Sequence, residues 1–230
     1  MLASASVVVT MAIVVGVVFL VHGIPPELVN NDGNIEKSKT TPRVRINPSK
    51  DWTSIGTEHK DFFTAARKGD LSGVKRILQQ CPDIDVNKGS DKFFGTTPLG
   101  IASYNGETET VQYLLKDKRI KINKANKMGV SPLLGASMQG NMEVVEVLLR
   151  EPEIDVNMAD SLGSTPLIKA SYYGKTEVAK LLLRCPRTDI SRRDLRKNSA
   201  LYYAKRMWPD IVDAIEARDE LLESGHTCSN

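Results

Sequence analysis

Residues 129–160 read GVSPLLGASMQGNMEVVEVLLREPEIDVNMAD, and this stretch holds one complete structural unit. Gly129 stands two residues before Ser131-Pro132, a tight-turn signal where a positive φ is wanted. The Ser-Pro pair then starts a helix, because a hydroxyl can cap the first turn and Pro suits its opening position. Ala136 is small enough to let a neighbouring helix approach, and Gly140 stops the helix. A second helix carries Val144, Val145, Val147, Leu148 and Leu149, an apolar face wider than one unit can hide. Ile154 and Val156 lead through Asn157 to Asp160 and the next turn.

The unit recurs at a step of 34 residues. Ser131-Pro132-Leu133 is echoed by Thr97-Pro98-Leu99, Thr165-Pro166-Leu167 and Ser199-Ala200-Leu201. The same step links Gly95, Gly129 and Gly163, then Ala102, Ala136, Ala170 and Ala204, then Gly106, Gly140 and Gly174. It also links Leu114, Leu148 and Leu182, and Asn126, Asp160 and Asp194. An earlier copy, Phe62 to Asn87, follows the pattern at offsets of 36 or 37 without the Thr-Pro-Leu opening, as a terminal repeat would. Units that must stack to bury their apolar faces make an elongated solenoid.

These residues resemble the ankyrin repeat, with about five repeats between Asp61 and Glu223. The resemblance implies an all-α solenoid in which each unit has a β-turn or hairpin and two antiparallel helices. It also implies protein–protein recognition without catalysis. The His that follows Thr-Pro-Leu in the family is replaced by Gly100, Leu134, Ile168 and Tyr202, so that residue's hydrogen bonds are absent. In the last copy Lys197 and Trp208 stand where glycines stood, and Ala200 replaces Pro; these changes put its hairpin geometry in question and suit a C-terminal cap. The resulting organisation is a hydrophobic segment (1–24), a flexible linker (25–60), repeats at 61–91, 92–126, 127–160, 161–194 and 195–225, and a tail (226–230).

Ala3 to Val21 reads ASASVVVTMAIVVGVVFLV, with Ser and Thr as its only polar residues. A membrane-spanning helix needs about 20 such residues, whereas the apolar part of a secretion signal has about 7–15. No Lys or Arg precedes the run, which favours an uncleaved anchor; Val21-His22-Gly23 offers a poor cleavage site, which leaves a secreted chain as the alternative. Basic residues flank the run only on its C-terminal side, the side that the positive-inside tendency keeps in the cytoplasm. No Asn-x-Ser/Thr sequon occurs, and the odd cysteines suit a reducing compartment. The expectation is a single-pass membrane protein with cytoplasmic repeats.

Composition narrows the chemistry. A net charge of +3 with 26% charged residues argues against a DNA-coating protein. Cys81, Cys185, Cys228, His22, His59 and His226 are scattered singly, so no metal or other cofactor is expected. No phosphate loop, zinc-protease or nucleophile-elbow motif is present, and no small-molecule substrate is implied. The pairs Asp83/Asp85 and Glu153/Asp155 recur in equivalent loops and read as turn chemistry rather than acid–base pairs. Arg184 to Arg206 holds eight basic and two acidic residues, while Met207 onward holds six acidic residues and one Arg. Nucleic-acid binding through the basic segment is the third reading; charge neutralisation within the last repeat is preferred to it.

The resemblance also implies where a partner sits, on a concave face built from turn tips and first helices. Its exposed positions are the residue before the helical Ala and the two before the closing Gly. Here these are Thr64, Arg67 and Lys68, then Ile101, Tyr104 and Asn105, then Gly135, Met138 and Gln139. Lys169, Tyr172 and Tyr173 follow, then Tyr203, Arg206 and Met207, and the tips add Phe93, Phe94, Met128 and Leu162. Partner contacts are expected from Tyr104, Met138, Tyr172, Tyr173, Tyr203, Arg206, Phe93, Phe94, Met128 and Leu162, since Tyr, Met and Arg are enriched at recognition surfaces. The alternative is that some of these side chains pack between repeats as core.

Overall fold

The computed structural model describes residues 52–223. The expected hydrophobic segment, the tail and most of the linker lie outside these residues. Among the described residues ten α-helices follow one another: α1 (Trp52–Lys68), α2 (Leu71–Gln80), α3 (Pro98–Asn105), α4 (Thr108–Leu114), α5 (Pro132–Gln139), α6 (Met142–Leu149), α7 (Pro166–Tyr172), α8 (Thr176–Arg184), α9 (Ala200–Ala204) and α10 (Pro209–Glu223). No strand occurs among the described residues; two isolated antiparallel bridges, Ser90 with Thr96 and Arg193 with Ser199, close the first and last turns. The odd-numbered helices pack in one row and the even-numbered helices in a second.

Each first helix starts as its sequence directs. The hydroxyls of Thr97, Ser131, Thr165 and Ser199 accept the N–H groups of Gly100, Leu134, Ile168 and Tyr202 at 3.0–3.3 Å. The alanines Ala102, Ala136, Ala170 and Ala204 are all wholly buried, so the row of first helices stacks closely. Leu114, Leu148 and Leu182 are equally buried in the second row. One expectation is corrected: α1 begins at Trp52, inside the stretch read as linker to residue 60. Charges there had suggested a tether, yet no proline follows Pro48 to break the helix. Tertiary contact secures it, since His59 Nε2 accepts the Asp85 N–H at 3.3 Å.

The turns obey one rule. Asn126, Asp160 and Asp194 each use Oδ1 to accept the N–H groups two and four residues on, at 2.9–3.0 Å. Gly95, Gly129 and Gly163 have φ of 75°, 76° and 74°, and Lys197 holds the same place at 64°. The last hairpin therefore keeps the geometry that its lysine had put in question. Asp194, together with an Arg193 guanidinium that donates to the Lys197 carbonyl at 3.1 Å, holds the strained residue in place. Trp208 stands past the end of α9 and lays its indole over Gly174, where a β-carbon would collide with the ring.

Neighbouring repeats are joined by two ladders. At the tips, the N–H groups of Lys127, Ser161 and Leu195 donate to the carbonyls of Phe94, Met128 and Leu162 at 2.8–3.0 Å. At the loops between repeats, three asparagines each make two bonds to the next repeat. Asn87 donates to the Arg119 carbonyl at 2.7 Å and accepts the Lys121 N–H at 2.8 Å. Asn123 does the same with Glu153 and Asp155, at 2.7 and 2.9 Å, and Asn157 with Arg187 and Asp189, at 2.7 and 2.9 Å. Asp85 and Asp155 brace the series by accepting the N–H of Asn87 and Asn157 at 2.9 and 3.0 Å, which is the turn chemistry expected of those acidic pairs. The series ends at Ser191, whose hydroxyl donates to Asp189 at 2.6 Å. Replacing Asn123 by Ala removes both cross-repeat bonds and is expected to lower stability by about 1–2 kcal/mol. Ser191→Ala, which breaks no link between repeats, should cost about 0.5 kcal/mol, and urea unfolding of the two variants measures the difference.

Candidate interaction surface

The turn tips and first helices present three columns of side chains. The column before the helical Ala was expected to be exposed, and the structure corrects this. Ile101 is only 4% exposed and Gly135 is buried. First helices this closely stacked turn that position toward the adjacent helix; a β-carbon on Gly135 would stand 3.7 Å from the Tyr104 side chain. In the last two repeats the column reaches instead to the turn. Lys169 Nζ pairs with Asp160 at 2.7 Å, with side chains only 14% and 6% exposed. Tyr203 donates its hydroxyl proton to Asp194 at 2.5 Å and accepts from Asn198 at 3.1 Å. The sequence carried a signal for both: Lys169 follows Asp160 at the same spacing as Tyr203 follows Asp194.

The next two columns carry Tyr104, Tyr172 and Tyr173. Tyr173, Tyr172, Tyr203 and Tyr202 form a continuous edge-to-face chain with centroid separations of 4.9, 5.1 and 5.5 Å and interplanar angles of 86°, 83° and 80°. Each such pair contributes about 0.5–1.5 kcal/mol beyond area burial, so the cluster is held in shape before any partner arrives. Burial pushes the Tyr203 phenol up, and Asp194 pushes it further, while Asn198 and Arg196 oppose the shift. Tyr104 and Tyr173 are also pushed up, first by burial and then by neighbouring groups.

Exposure divides the expected contact set. Phe93, Phe94, Tyr104, Met128 and Met138 are half-buried. Phe93 packs on Phe63 at 5.1 Å beneath the Arg67 guanidinium, which lies 5.9 Å from its ring. Tyr203 is half-buried, whereas Leu162, Tyr172, Tyr173 and Arg206 are exposed. Two further residues join them: Leu195 at 74% and Met207 at 72% are among the most open apolar side chains of the described residues. Leu195 was missed because it replaces Phe93, Lys127 and Ser161 at a tip position with no constant character. The open apolar surface of this face thus belongs to the last two repeats.

The model for ankyrin repeats matches residues 62–160 and again 136–228, in three copies. The chain belongs to the ankyrin-repeat family. No curated protein matches it significantly. Ankyrin repeats are protein–protein interaction modules. The Cys81 thiol is pushed up by desolvation and by Glu58, away from thiolate reactivity. The Tyr203 shift gives a pH prediction. A phenol with a raised folded pKa contributes stability that is fully present below its ordinary value of 10.0 and is lost as pH rises through the folded value. The stability difference between the native chain and Tyr203→Phe, about 1 kcal/mol, should therefore be constant from pH 7 to 9 and shrink above pH ~10 in urea titrations.

Proposed function

We propose that the chain is a non-catalytic recognition module which binds a protein partner on the face of its last two repeats and is held at a membrane by residues 3–21. The observation that carries the recognition reading is the preassembled tyrosine chain, in the same two repeats that leave Leu162, Leu195 and Met207 open to solvent. Aromatic and Met side chains of this kind supply large contact area at small conformational cost. Among the described residues no group of three or more His, Cys, Asp or Glu side chains could hold a metal.

The basic segment supports a protein partner over a nucleic acid. Arg187 spends its guanidinium on the carbonyls of Leu149, Pro152 and Ile154 at 2.9–3.1 Å, and Arg193 on that of Lys197. Lys205 pairs with Glu216 on α10 at 3.3 Å, a piece of the internal neutralisation read from the sequence. No helix of the described residues is long and apolar enough to cross a membrane, so anchoring rests on the uncharged run Ala3–Val21. The basic residues after that run support cytoplasmic repeats, and a secreted chain is the alternative.

A random peptide library displayed on phage and selected on the full chain should return binders. Met207→Ala should weaken them by about 1–2 kcal/mol with the melting temperature unchanged, and Tyr172→Ala should weaken them as much while also costing about 1–3 kcal/mol of stability through its two ring contacts. Tyr104→Ala, at a half-buried packing position, should instead lower stability by about 1–2 kcal/mol. A library yielding no binder sensitive to Tyr172 would sink the recognition reading. For the membrane reading, protease added outside intact vesicles that expose their cytosolic face should digest the repeats; protected repeats reverse the orientation. A mature N-terminus near Ile24 would instead mean secretion.

A further inference from the structure

The charge on this face is one-sided. Its tips and first-helix columns expose Lys68, Lys92, Lys127, Arg196, Lys197 and Arg206. Of the carboxylates among the same positions, Asp160 and Asp194 are committed to Lys169 and Tyr203 and to backbone N–H groups of their own turns. Asp91 is the one carboxylate left open there, and it lies 3.6 Å from Lys127. The neighbouring α10 carries the opposite charge, with Asp210, Asp213, Glu216, Asp219 and Glu220 exposed. A negative partner is repelled by α10 and drawn to the tips, and such steering sets both orientation and encounter rate.

Apolar and basic groups interleave at the last two repeats. Arg206 continues the column of Tyr104, Met138 and Tyr172, and Met207 that of Asn105, Gln139 and Tyr173. Arg196 continues the tip row of Phe94, Met128 and Leu162, next to the open Leu195. No ion pair engages Arg196, Lys197 or Arg206 among the described residues.

We propose that this face takes an acidic protein segment bearing apolar side chains. Its carboxylates meet Arg196, Lys197 and Arg206, and its apolar groups cover Tyr172, Tyr173, Leu195 and Met207. This deepens the recognition reading above and rests on it. A nucleic acid would satisfy the cations and could stack on tyrosines. It offers no aliphatic groups to Leu162, Leu195 and Met207, and its longer run of phosphates would meet α10.

The test uses the same phage selection on the full chain, with an oligouridine RNA as a second probe. Selected peptides should be enriched in Asp and Glu over Lys and Arg, and should carry aromatic or aliphatic residues among them. A synthetic peptide of the consensus should bind more weakly as salt rises. Its affinity should fall about tenfold in Arg206→Glu and in Arg196→Glu, and Arg206→Lys should keep most of it. Circular dichroism melting checks that the charge-reversed chains fold, and the salt dependence of the native chain stands even where they do not. Peptides that depend on Tyr172 but are neutral or basic overturn the acidic assignment and leave the recognition reading intact. Absence of any Tyr172-dependent peptide overturns both. Oligouridine that binds more tightly than the acidic peptide and is released by Arg206→Glu overturns the choice of a protein ligand.

Discussion

The carboxamides of Asn87, Asn123 and Asn157 join the first four repeats, each to the next, and the stack depends on that link. An amide is the one side chain of this size that presents a donor and an acceptor in one plane, so it satisfies a carbonyl and an N–H of the adjacent loop together. These backbone groups lie in irregular segments with no ladder of their own, and leaving them unpaired where they are partly buried costs free energy. A unit of two short helices cannot hide the apolar face of its second helix alone. The bonds between loops and between tips hold neighbours at the spacing where Leu114, Leu148 and Leu182 become wholly buried.

The last repeat shows how a stack of this kind ends. The position after Ser/Thr-Pro-Leu is buried in the middle repeats, as Gly100, Leu134 and Ile168, but holds Tyr202 at 50% exposure in the last one. Ser103, Ser137 and Ser171 are fully buried, while the equivalent Lys205 is exposed and pairs with Glu216 across the end. Ser191 in place of asparagine closes the amide series. Polar and exposed groups thus stand in the fifth repeat where the middle repeats bury serine and apolar side chains.

The same ending shapes the recognition surface. In repeats 2 and 3 the large apolar side chains Phe93, Phe94, Tyr104, Met128 and Met138 are half-buried, as Tyr104 is over Gly135. In repeats 4 and 5 the column beneath is occupied by Lys169 and Tyr203, which turn toward Asp160 and Asp194. Tyr203 also joins Tyr172 and Tyr202 in the ring chain, and Tyr172, Tyr173 and Tyr202 stay open on one side. A stiff aromatic cluster loses little entropy when covered, which is what a binding surface needs.

The repeat, its period, its helix starts and its turns were legible in the sequence. Each is set by local chemistry: a hydroxyl before Pro, a glycine at positive φ, an Asx side chain reaching N–H groups two and four residues on. The start of α1 was not legible, because charged residues suit an exposed helix as well as a tether, and the contact of His59 with the Asp85 backbone decides between them. Nor was the split of the expected contact residues into half-buried and open sets. Tyr104 and Tyr172 occupy the same position of the second and fourth units, and nothing local distinguishes them. Their exposure depends on which side chain the neighbouring first helix brings against them, and that is settled only when the helices stack.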